Sequence, residues 1–157
     1  MYKKMDIEEV RAYIDMQSPE TKVYLGADSE RYKKDGVWMA DYAVVVVIHK
    51  DGNKGCKVFG EITSERDYDQ RKDKPALRLM NEVYLVAALF EKLKDVLEDR
   101  YLEIHLDINP NKMFGSSCVV DQAIGYIKGV CGVTPMVKPD SPAASFGADH
   151  FKQILSH

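Results

Sequence analysis

The feature that most constrains the fold is a change of hydrophobic period near residue 75. Upstream, apolar residues come in extended, β-branched runs. Downstream, Leu79, Val83, Val86, Phe90, Leu93 and Leu97 are spaced 4, 3, 4, 3 and 4 apart. That spacing predicts a long helix with one buried stripe. Immediately after it the period returns to two. Leu102, Ile104, Leu106 and Ile108 share one face of a strand, and Glu103, His105 and Asp107 share the other. A strand that follows a helix in this way is the second half of a β–α crossover, which requires a sheet with parallel pairing.

The upstream runs supply the rest of that sheet. Lys22–Ser29 reads as a first strand, with Asp28 at its end. Asp35-Gly36 is a turn signal, which makes Arg31–Lys34 a charged hairpin loop. Trp38–Lys50 reads as a long central strand, and Lys57–Ser64 returns antiparallel after the loop at Asp51–Gly55. Asp6-Ile-Glu-Glu9 opens a short amphipathic helix over residues 6–16, with a capping acid and a Glu three residues on. Ser116 or Ser117 caps a further helix that carries Val120, Ile124 and Ile127 and stops at Gly132. Val133–Lys138 is a short fifth strand, and Ser141-Pro142 opens a last helix. The expected fold is α/β. Its mixed five-stranded sheet has three antiparallel strands first, strands one, four and five parallel, and helices on both faces. One domain over residues 1–157 is expected, with residues 1–20 as an N-terminal helical extension.

Composition narrows the function classes. Hydrophobic residues are 45% and charged residues 30%, a globular balance. The apolar runs Ala43–Ile48 and Val83–Phe90 are far shorter than the roughly 20 residues a membrane-spanning helix needs. The Met-Tyr-Lys-Lys-Met-Asp start has no apolar stretch behind it, which argues against a secretory signal. Cys56, Cys118 and Cys131 are odd in number and lack Cys-x-x-Cys spacing, which fits a reducing cytoplasm better than a disulfide framework. A net charge of −3 argues mildly against a tight duplex binder held by bulk electrostatics and leaves room for an enzyme whose acids sit around cationic metals.

Acids stand where ligands collect in such a sheet, at the carboxyl ends of parallel strands. Asp28 ends the first strand and Asp107 nearly ends the fourth, and the topology makes these strands neighbours. Each alone reads as a solvated strand end. Side by side they repel, and hard divalent cations resolve that repulsion. Glu82 flanks the buried stripe of the long helix, where a carboxylate needs a partner or a metal. Asp149 lies in the last helix among small residues, with His150 beside it as a candidate proton carrier. His105 reads as a packed core histidine. Asn109 and Asn111 follow Asp107 and either orient a phosphate or ribose hydroxyl or simply form an Asn-Pro-Asn turn. Arg31, Lys33 and Lys34 either grip a nucleic-acid backbone or form a solvated loop. Arg71, Lys72 and Lys74, interleaved with Asp67, Asp69 and Asp73, read as a solvated loop.

The stretches Leu25-Gly-Ala-Asp-Ser29, Leu106-Asp-Ile-Asn-Pro-Asn111, Ala123-Ile-Gly-Tyr-Ile-Lys-Gly129 and Val137-Lys-Pro-Asp140 resemble the YkuK-type family of ribonuclease H-like proteins, over about Lys22 to Lys152. The resemblance implies that Asp28, Glu82, Asp107 and Asp149 are metal-binding and catalytic acids. It also implies two Mg²⁺ or Mn²⁺ ions and a nucleic-acid partner. The implied activity is metal-dependent hydrolysis of phosphodiester bonds in RNA, RNA–DNA hybrid or structured DNA. Two other readings fit the same residues: a non-catalytic ribonuclease H-like module that binds nucleic acid or protein, and a small-nucleotide phosphohydrolase.

Overall fold

A computed structural model describes residues 4–50, 55–68, 76–106 and 117–137. Within them the chain runs α1 (Ile7–Asp15), β1 (Lys22–Lys34), β2 (Val37–His49), β3 (Cys56–Arg66), α2 (Ala76–Leu97), β4 (Tyr101–Leu106) and α3 (Ser117–Cys131). The four strands form one sheet in the order β3-β2-β1-β4. The first three make the expected antiparallel meander. The α2 crossover brings β4 alongside β1 in parallel, in register from Lys22↔Tyr101 to Ala27↔Leu106.

The apolar stripe of α2 packs as its spacing requires. Leu79, Val83, Val86, Leu93 and Leu97 are buried against Val23, Leu25 and Ala27 of β1, Val44, Val46 and Ile48 of β2, and Ile104 and Leu106 of β4. Helix α3 adds Val120, Ala123 and Ile127 to the same core, and α1 adds Val10 and Ile14. The N-terminal helix is thus part of the core. Its cap is Asp6, whose carboxylate accepts from the amides of Glu8 (3.1 Å) and Glu9 (3.3 Å). Arg11 then clamps Asp95 with both terminal nitrogens and donates to the Lys92 carbonyl. From the other side, Arg100 reaches the Ser18 and Gln17 carbonyls. The Arg11 guanidinium holds the Asp95 carboxyl below its ordinary value.

All three described helices share one face of the sheet, and the expected last helix lies outside the described residues. The opposite face carries a smaller cluster, Ala43, Val45 and Ile62 with Val47 and Val58 packed against it. Of the expected fifth strand there is one bridge among the described residues. Met136 pairs in parallel with His105: its amide donates to the Ile104 carbonyl and its own carbonyl accepts from Leu106. The residues that would carry this pairing further, 107–116 and 138 onward, lie outside the described residues.

The second departure concerns β1. It does not end at Ser29 but continues to Lys34, paired with β2 as far as Lys34↔Val37. The turn is the two residues Asp35 and Gly36, at φ 51° and 79°, the backbone that matches strand twist in a tight hairpin. Residues 30–34 lack an apolar face, so periodicity could not carry the strand through them. Ladder hydrogen bonds do not need one. Arg31–Lys34 is therefore strand and not loop, and Asp28 lies within β1 and not at its end.

Burial also sets cysteine chemistry. Desolvation, reinforced by Glu91, pushes the Cys131 thiol up to about 11, whereas Cys56 is exposed. At pH 8 Cys131 is then a neutral thiol, and the thiolate is the nucleophile. Iodoacetamide is expected to label Cys56 and spare Cys131 in the folded protein, as read by peptide mass mapping. Comparable labelling of both would contradict the burial of Cys131.

Candidate active site

Where the β1–β4 pairing ends, at Ala27↔Leu106, the next residue of each chain segment is an aspartate: Asp28 in β1, and Asp107. Asp28 is half-buried, and its Oδ1 accepts from the Ser29 amide at 2.8 Å. Asp107 lies outside the described residues, as do Asn109, Asn111, Asp149 and His150.

Glu82 sits one helical turn into the packed part of α2 and is only 7% exposed. Its Oε2 accepts from the Ser29 hydroxyl at 2.9 Å. Ser29 therefore touches both acids, one through its amide and the other through its side chain. Pleating sends Asp28 and Ser29 to opposite faces of β1. Ser29 takes the helix face, where it meets α2, and Asp28 takes the other. The two carboxylates flank β1, with Ser29 between them. The hydroxyl also lies 3.5 Å from Nη1 of Arg78, one turn before Glu82 on the same helix.

Behind this pair is a buried ionic cluster that the sequence did not suggest. Asp67, expected in a solvated loop, is 7% exposed as a residue. Its amide continues the β2–β3 ladder by donating to the Trp38 carbonyl, which turns its carboxylate toward α2. There Oδ2 stands 2.7 Å from Nε of Arg31 and 3.8 Å from Nε of Arg78. The Arg31 guanidinium also lies 4.0 Å from the Trp38 ring centroid. Arg31, read from the sequence as either a nucleic-acid grip or a solvated loop residue, is instead built into this cluster. Next to it Asn81 donates to the Tyr42 hydroxyl at 3.1 Å, and burial raises that hydroxyl from its ordinary value. One signal for the cluster was present: Arg78 stands four residues before Glu82, on the same side of the helix.

Lys33 and Lys34 are both exposed, but as consecutive strand residues they leave opposite faces. Lys33 lies over the Trp38 ring, at 5.6 Å, on the helix face. Lys34 shares the face of Asp28. His105 is on that face too, paired with Gly26 of β1. It is 3% exposed, bonded to Glu103 at 3.2 Å and edge-on to Tyr24, a packed core histidine. Burial, then the Glu103 charge, pushes the Tyr24 hydroxyl up.

Among the described residues no three His, Cys, Asp or Glu side chains converge as a metal site. Two of the four expected acids are described, and these are the two that Ser29 links. No described helix is long and apolar enough to cross a membrane. A family model described as ribonuclease H-like matches residues 6–153. No curated protein and no solved structure matches the chain.

Proposed function

The chain belongs to the ribonuclease H-like family, and from that premise we propose that it is a metal-dependent nuclease, hydrolysing phosphodiester bonds in RNA, RNA–DNA hybrid or structured DNA. The observation that carries the reading is the register of the parallel pair. It runs to Ala27↔Leu106 among the described residues, and Asp28 and Asp107 come next in the sequence, with Ser29 bonded to Asp28 through its amide and to Glu82 through its hydroxyl. Carboxylate oxygens are the ligands that a hard divalent cation prefers, and Asp28 and the residue after Leu106 are both acids. Asp28, Glu82, Asp107 and Asp149 are the residues that would hold two Mg²⁺ or Mn²⁺ ions. Such a pair supplies activation of the attacking water and stabilisation of the departing oxygen.

The remaining roles fall to the chain's own groups. Ser29 fixes the orientation of Glu82 through its hydroxyl and of Asp28 through its amide. Asn109 and Asn111 orient a phosphate or a ribose hydroxyl. Lys34, on the face of Asp28, meets the nucleic-acid backbone directly, and Lys33 adds charge from the other face. His150 carries a proton to or from the reacting oxygen.

The test is a panel of labelled single-stranded RNA, single-stranded DNA, RNA–DNA hybrid and branched DNA, incubated with Mg²⁺, Mn²⁺ or EDTA. Cleavage of at least one substrate with metal and none with EDTA is the expected result. Binding without cleavage under every metal condition would replace the nuclease with a binding module. In the same binding assay, Lys34→Ala should weaken affinity more than Lys33→Ala. It should flatten the log–log salt slope by about 0.7 on a single strand or about 0.9 on duplex DNA, the loss of one phosphate contact.

A further inference from the structure

Beyond Asp28, β1 and β2 run on to their turn, and β3 accompanies them to Arg66. Three paired strands thus extend past the candidate site. On the face of Asp28 the projecting part is built in cross-strand rows. Asp28 lies level with Ala43 and Ile62, Glu30 with Asp41 and Ser64, and Tyr32 with Met39 and Arg66. The last row is about 13 Å along the strand from Asp28. Tyr68 adds to it, 65% exposed, with the Arg66 guanidinium 5.3 Å from its ring centroid. Lys34 stands exposed just beyond.

We propose that this row is a stacking platform for single-stranded nucleic acid, leading an unpaired strand to Asp28. The proposal deepens the nuclease reading and rests on it for the claim that the bound strand is the substrate. Two phenol rings, a thioether and a guanidinium present flat, polarisable surface, and Lys34 and Arg66 supply the positive charge. That combination holds unstacked bases beside their phosphates. A duplex keeps its base faces against each other and offers phosphates instead. Between the platform and Asp28 it would meet Glu30 and Asp41, which repel phosphates. The Ser64 hydroxyl donates to Asp41 and fixes that acid in place. The charge pattern therefore favours base faces over a phosphate ladder, and a single strand over a duplex. The opposite face of the arm differs, because Arg31 is engaged with Asp67 and lies over Trp38.

The test is fluorescence anisotropy in EDTA with dye-labelled oligo(dT) and oligo(U), set against a labelled DNA duplex of equal length at the same salt. The single strands are expected to bind more tightly than the duplex. Tyr32→Ala and Tyr68→Ala should each weaken single-strand binding by about tenfold, in line with the loss of one base stack. Tyr68→Phe should restore it, and Trp38→Phe, on the other face, should change it less than twofold. Tyr68 is exposed, so its variants test the platform even where Tyr32→Ala fails to fold. Preference for duplex, no binding, or wild-type affinity in Tyr68→Ala overturns the platform. Binding as expected with no metal-dependent cleavage overturns the nuclease reading and leaves the platform standing. Metal-dependent cleavage at an undiminished rate in Tyr68→Ala at low substrate does the reverse.

Discussion

Asp28→Asn is expected to lose metal-dependent cleavage by several orders of magnitude while keeping its fold. The substitution preserves shape and leaves an oxygen to accept from the Ser29 amide. It removes the carboxylate charge that would hold a divalent cation there, and the loss of that ligand would remove the metal's contribution to the reaction. Circular dichroism and a melting curve check the fold, and single-turnover cleavage with Mn²⁺ checks the chemistry. Asp107→Asn should behave alike. Mn²⁺ should raise the melting temperature of the wild type, since it binds the folded state, and should do so much less for either variant. An Asp28→Asn protein that cleaves normally would place the chemistry elsewhere.

The second large effect is on stability. Asp67→Ala is expected to cost about 3–5 kcal/mol, because it removes the buried carboxylate that the Arg31 and Arg78 guanidinium groups face. The Asp67 side chain is 1% exposed, and those of Arg31 and Arg78 are 10% and 13% exposed. Solvent does little to relieve either cation once the acid is gone. In a chain of this size the loss corresponds to a melting temperature about 10 °C lower. Urea denaturation measures it directly. Removing all three charges together, with apolar residues of similar size, should recover much of the loss, since a buried ionic cluster is often no more stable than a packed apolar one. A loss under about 1 kcal/mol in Asp67→Ala would show the cluster to be solvated.

The elements with a clear period were legible from the sequence. The α2 stripe, the alternation of β4, the Val-rich β2 and the Asp35-Gly36 turn all lie where their patterns put them. The end of β1 was not legible, because residues 30–34 are held by the ladder to β2 and not by an apolar face. The fifth strand read as a strand over Val133–Lys138, and among the described residues it shows as the single bridge of Met136 to His105. At the site, Glu82 could be placed beside the buried stripe from its helical neighbours, and it is buried. Its partner Ser29 could not be found that way, because the contact spans 53 residues and depends on how α2 crosses β1. Asp67 was hidden for the opposite reason. It stands in a charged run that looks solvated, and only its pairing beside Trp38, with Arg31 and Arg78 around it, takes it out of water.

The sheet order also biases the entropy of assembly. The β1–β2 and β2–β3 pairings are hairpins, close in the chain and cheap in loop entropy. The β1–β4 pairing joins residues nearly eighty positions apart, from Lys22↔Tyr101 onward, and needs α2 to be laid down first. Asp28 stands on the seam between the early meander and the late strand. Opening that seam would undo the neighbourhood of Asp28 while most of the meander persists. Amides of β4 should then exchange with solvent faster than those at the centre of β2, and a substrate held across the seam should slow them.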